Sequence, residues 1–258
     1  MIARCHCRAA ATVARTVLVL LAMLASGACG SRALAAAEAT FAVLAEQVAA
    51  QPEDMLAANE LRHVCRQQNT PDSCVDFFDK LVAKHPNVRA ARYNAALAYI
   101  DSLPGHSLLA QAKLSTNSMA HASAVLERRP HDWLALYIRG LNNLYWPKWY
   151  RRADRALADL RQCTQLTQAL PAAQLKPYMA IAYVALGDAY VKLERLPEAQ
   201  EAWRLGANVH ASQEIQQRLA LPADRLVDAI DHIRSREVPV DTDLSFYASA
   251  MQPGSPGT

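Results

Sequence analysis

Four prolines, Pro52, Pro86, Pro130 and Pro171, stand 34, 44 and 41 residues apart, each after a stretch rich in helix-forming residues. Proline lacks the backbone N–H that a helix interior needs and disfavours helix at the residue before it, so each of these positions ends a helix. An interval of this length holds two helices and a turn. Such a unit cannot bury its apolar face alone and has to stack on its neighbours. Composition agrees: only 8 glycines stand among abundant Ala, Leu, Gln, Glu and Arg, and 52% hydrophobic residues in 258 positions suffice for a core. The expected fold class is all-α.

The clearest unit is YVALGDAYVKLERLPEAQEAWRLGA, residues 183–207. Gly187 and Ala199 would let two helices approach closely, while Tyr183, Tyr190 and Trp203 fill the space around that contact. Tyr183, Leu186, Gly187, Tyr190, Ala199 and Trp203 resemble the tetratricopeptide repeat (TPR) pattern, with departures at Gly206 and Ala211 where that family usually has alanine and proline. Weaker matches earlier in the chain involve Leu61, Cys65, Cys74 and Phe78, then Tyr93, Ala96 and Tyr99, then Tyr137, Gly140 and Leu144. The resemblance implies a right-handed superhelix of TPR-like helical hairpins over 36–236. Its units would be about 53–86, 87–130, 131–171 and 178–211, with capping helices at 212–236 and a leading helix at 36–49. The tail 237–258, ending in Gly, Pro and Ser, is expected to be partly disordered.

In this register Cys65 and Cys74 lie on successive helices where the family buries facing side chains, which makes them the disulfide candidate. Two reduced cysteines packed as small apolar residues are the competing reading. His63 beside them does not make a standard zinc spacing.

Three arginines and no acid in MIARCHCRAAATVAR, then the apolar run TVLVLLAMLASGA, have the layout of a secretory signal peptide. Two processing points compete: Ala33-Leu34-Ala35, giving a signal peptide of 1–35, and Ser26-Gly27-Ala28-Cys29, a lipoprotein-like box giving 1–28 with Cys29 lipidated. Loss of Arg4, Arg8, Arg15 and Arg32 in the first case leaves 23 basic residues against 24 acidic ones, a net charge of −1. The basic character therefore belongs to the export segment, and no global charge favours nucleic acid. The expected location is the periplasm, or the outer membrane facing it, with membrane contact only through Cys29.

No phosphate loop, H-E-x-x-H, G-x-S-x-G or haem-attachment motif is present, so no enzyme, metal or cofactor is expected. What the resemblance implies instead is a scaffold or adaptor that binds another envelope protein or a peptide on its concave face. Helical projection puts Tyr93, Leu97, Tyr137, Leu141, Leu144, Tyr145, Asp188 and Lys192 on that face, an aromatic groove with a polar end, although Tyr137 and Leu141 could equally be core. The stretch LYWPKWYRR, 144–152, is a second candidate. Pro147 should break the helix at Trp146, and Trp146, Trp149 and Tyr150 then either fold back over the hairpin or form an exposed patch that stacks on sugars or anchors a peptide. Two alternatives follow: a peptidoglycan or glycan module using that loop, and an envelope enzyme on a repeat scaffold.

Overall fold

The computed structural model describes residues 39–235 and 237–247. Residues 1–38, which hold the expected export segment and Cys29, residue 236 and the tail end 248–258 lie outside the described residues. Among those described there are helices and loops and no strand. A helix at 39–50 (α1) leads into four hairpins: α2 (Met55–Gln67) with α3 (Pro71–Lys84), α4 (Arg89–Asp101) with α5 (Leu108–Leu126), α6 (Trp133–Leu144) with α7 (Ala153–Gln168), and α8 (Ala180–Lys192) with α9 (Leu196–Val209). Each helix of the hairpins packs on the next, and the first helices also pack on one another, α2 on α4, α4 on α6 and α6 on α8. The result is an all-α repeat superhelix with an inner layer of first helices and an outer layer of second helices. Two short helices close it, α10 (Gln213–Leu219) against α9 and α11 (Leu226–Ile233) against α8.

Local chemistry sets the boundaries. Asp54 accepts from the N–H groups of Leu56 and Ala57 at 3.0 Å and starts α2, and Asp132 accepts from Ala135 to start α6. Ser107 caps α5, so that helix begins at Leu108. Pro147 does stop α6, which ends at Leu144. A 3₁₀ turn (Lys148–Tyr150) and a left-handed Arg151 with φ 52° then delay α7 to Ala153.

Apolar residues gather in three clusters along the array. Leu61, Phe78 and Ala91 centre the first, where a disulfide joins Cys65 to Cys74 across the α2–α3 turn, Cα–Cα 6.2 Å. Closing a loop of nine residues restrains the unfolded chain by about 2–3 kcal/mol. Trp203, Leu144, Leu160 and Ile215 centre the cluster at the other end. The middle cluster holds Tyr93, Leu97, Leu134 and Ile138, and it also holds Leu244 and Tyr247 from the C-terminal segment.

Candidate functional site

After α11 the chain turns at Arg234 and runs back along the inner layer, from the fourth hairpin to the first. From 239 to 244 it is neither helix nor strand, and its burial alternates: Val240 is half-buried, Thr242 and Leu244 are buried, Asp241 and Asp243 are exposed. A two-residue period is that of an extended chain. This strap lies in the concave groove.

Its root is held by charge. Asp188 on α8, fully buried, accepts from Arg218 Nε and Nη2 at 2.7 and 2.8 Å and from Arg234 Nε at 2.8 Å. Arg234 also donates to the Tyr145 hydroxyl at 2.8 Å. Burial works against the Arg234 charge, but Asp188, Tyr145 and Glu214 outweigh it and raise the guanidinium above its ordinary range. Lys192, nearly buried, donates to the carbonyls of Trp146 and Arg234, both at 3.2 Å. Burial lowers its affinity for the proton, opposed in part by Asp231.

The far end of the strap is held on α2 and α4. Arg62, with no exposed surface, donates to Asn94 Oδ1 (2.9 Å), Asp101 Oδ2 (2.8 Å), Asn59 Oδ1 (2.7 Å) and the Thr242 carbonyl (2.6 Å). Asn59 accepts from the Leu244 N–H at 2.9 Å and donates to Asp243 Oδ1 at 2.8 Å. The Thr242 hydroxyl sits between Arg66 and Asp101. Burial disfavours the Asp243 carboxylate, yet hydrogen bonds from Ser245 and Asn59 hold it below the usual carboxylate range. Beyond it Tyr247 stacks on Trp133 and meets Tyr178 edge-on.

The strap does not fill the groove. A cavity of about 240 Å³ remains between it and the inner helices, lined by Leu97, Tyr137, Leu141 and Tyr145, and a second of about 100 Å³ lies under Val238–Val240 beside Ile100 and Trp146.

These contacts correct the expected groove. Leu97, Tyr137, Leu141 and Tyr145 do line the inner face, but the strap covers them, and all but the half-buried Tyr137 are buried. Leu144 is fully buried in the core against the fourth hairpin. Tyr93 is buried too, its hydroxyl donating to Asp132 at 2.6 Å. Asp188 and Lys192 offer no free polar end, because the root of the strap consumes both. Trp146 lies in the loop after α6 but folds back and is buried: its indole N–H donates to Ser115 at 3.0 Å and Arg152 lies 4.0 Å over its ring. Trp149 and Tyr150 are exposed, Trp149 at 68%, and stack with centroids 3.8 Å apart, while Lys148 pairs with Glu194. Asn59, Arg62, Asp101 and the strap itself were missed. The available signal was a pair of polar residues, Asn59 and Arg62, three apart on a helix face that otherwise packs.

No grouping of three or more His, Cys, Asp or Glu suited to a metal ion occurs among the described residues, and no helix there is long and apolar enough to cross a membrane. Helical hairpins in two layers, with glycine and alanine seams and a concave face, define a tetratricopeptide-like repeat scaffold. The chain is similar in structure to a thermophilic TPR protein of Thermus thermophilus, with a TM-score of 0.54 at 17% identity over 73% of this chain and 91% of that one, a likeness of fold. No protein-family model and no curated protein sequence matches the chain.

Proposed function

We propose that this protein is an exported, non-catalytic scaffold of the bacterial cell envelope that binds an extended segment of another envelope protein along its concave face. One observation carries the reading: the groove already holds an extended segment, gripped through its backbone by Arg62 and Asn59. Backbone capture with side-chain sockets is how a preformed groove recognises peptides. The arginine-led apolar N-terminus and the disulfide both suit an oxidising compartment outside the cytoplasm. The test is affinity purification of the full-length protein from its own envelope, with mass spectrometry of the co-eluting chains and of the N-terminus. A stoichiometric partner should be retained by the wild type and lost from Tyr137→Ala at unchanged circular dichroism. Retention of that partner by Tyr137→Ala would remove the concave face from the reading. N-terminal mass separates lipidation of Cys29 from cleavage after Ala35.

Exposure of Trp149 and Tyr150 favours a second reading, a glycan-binding patch outside the groove. Sedimentation with purified cell wall that disappears in Trp149→Ala would support it.

A further inference from the structure

The strap can be a fixed part of the fold or an occupant of a binding site, and its contacts distinguish the two. Core packing leaves few voids larger than a water molecule. Here two pockets of about 240 and 100 Å³, both partly open to solvent, are left beside the strap where it does not fill the groove. Much of the wall's pairing is also internal: three of the four groups that accept from Arg62 belong to the groove, namely Asn94, Asp101 and Asn59. Removing the strap would free one Arg62 N–H, both ends of the Asn59 amide that face it, and the sockets of Leu244 and Tyr247. Those are the complements of an extended peptide.

We infer that segment 238–247 is a resident mimic of the scaffold's ligand: the partner segment runs extended through a hydroxyl residue, an aspartate and a leucine in succession, then turns helically, as residues 245–247 do here, to bring in an aromatic residue three positions after the leucine, and it binds by displacing the strap. This rests on the concave face being the binding surface. Arg62 and the Asn59 carbonyl read only backbone, which any extended chain supplies. Asn59 Nδ2 reads the aspartate, Arg66 and Asp101 read the hydroxyl, and Trp133 with Tyr178 read the aromatic ring. Because the strap is covalently attached, it competes at high effective concentration, so a partner meets a groove that is open only a fraction of the time.

The experiment uses the full-length protein and a fluorescein-labelled synthetic peptide, VPVDTDLSFY, copying residues 238–247. Asp243→Ala/Leu244→Ala loosens the strap at α2, and Tyr247→Ala loosens it at the aromatic socket. Fluorescence anisotropy should show the peptide binding each loosened protein roughly tenfold or more tightly than the wild type, as the closed fraction falls. A peptide with alanine at the aspartate and leucine positions should bind none of them. Loosened proteins that keep their helical circular dichroism but do not bind VPVDTDLSFY would overturn the inference. Loss of the helical fold in both variants would overturn it too, since the strap would then be structural. If such a folded variant still captured its envelope partner, the scaffold reading would stand without the mimic; if it captured nothing, both would fall.

Discussion

Gly187→Ala tests the packing that the whole array depends on. A Cβ built at Gly187 lies 2.1 Å from Trp203 Nε1 and 2.5 Å from both Cδ1 and Cε2 of the same ring. Trp203 is fully buried and its indole N–H donates to the Val184 carbonyl at 3.2 Å, so the ring cannot yield by swinging a flexible end. It has to move by roughly 1 Å or more to reach ordinary contact distance, in an interior packed like a solid. Overpacking of this kind costs about 1–3 kcal/mol, and losing the indole hydrogen bond adds about 1 kcal/mol. Replacing a mid-helix glycine by alanine returns about 1 kcal/mol. The expected net loss is therefore about 1–3 kcal/mol, at the upper end because the obstacle is a ring. With a urea slope of about 2–3 kcal/mol per molar, the unfolding midpoint should fall by up to about 1.5 M. Gly140→Ala is the comparison: its Cβ would lie 2.8 Å from Cγ of the fully buried Leu160, a smaller intrusion than the 2.1 Å at Trp203, so the loss should be smaller than for Gly187→Ala. Urea unfolding followed by far-ultraviolet circular dichroism decides the matter. An unchanged or higher midpoint for Gly187→Ala, or a larger loss for Gly140→Ala, would refute the close-approach argument.

Asp188→Asn leaves the Arg218 and Arg234 guanidiniums buried beside a neutral amide, with Glu214 the remaining acid nearby, and should cost about 3–5 kcal/mol. Thermal unfolding measures the loss, and limited trypsin digestion should cut near Arg234 faster than in the wild type as the root of the strap loosens. His121, stacked on Tyr99 and 3.3 Å from Asp79, titrates below its ordinary 6.5 because burial and Arg92 outweigh Asp79. The unfolded chain then takes up the proton first, so this stabilisation is complete above about pH 6.5 and is lost as pH falls through that value toward the lower folded pKa. Urea midpoints from pH 8 to pH 5 should drop more steeply in the wild type than in His121→Gln, and parallel profiles would contradict the assignment.

What could be read from the chain alone was what short-range chemistry dictates. Prolines at regular intervals delimit hairpins, and Gly187, Ala199 and Trp203 lie at spacings that a 3.6-residue turn brings to one seam. Cys65 and Cys74 face each other for the same reason, across one tight turn. The strap is different in kind. Asn59 bonds Asp243 across 184 residues, and nothing in the local pattern of either predicts the other. VPVDTDLSFY has a two-residue alternation too short, and too close to Pro239, to be told from a loop. The projection that placed Leu97, Tyr137, Leu141 and Tyr145 on the inner face found the right wall of the groove. It could not show that the chain's own end covers it.

The chemistry of that wall bears on why it is covered. A permanently buried contact between α2, α4 and the C-terminal segment could be built from apolar residues of similar volume, and replacing buried ion pairs in this way is often neutral or stabilising. This chain instead places Asn59, Arg62, Arg66 and Asp101 there, with Arg62 fully buried, and meets them with a backbone carbonyl, a backbone N–H, a threonine and an aspartate. Such groups are costly to enclose but stable when wet, because each can exchange its partner for water. An apolar wall would favour collapse or aggregation whenever the strap left, since an exposed apolar patch seeks a partner without discrimination. At the α2–α4 end of the groove, polar residues around the Leu244 socket tolerate being left wet and still select which segment returns to them. The polar groups at the α2–α4 end of the groove thus fit a contact that can open.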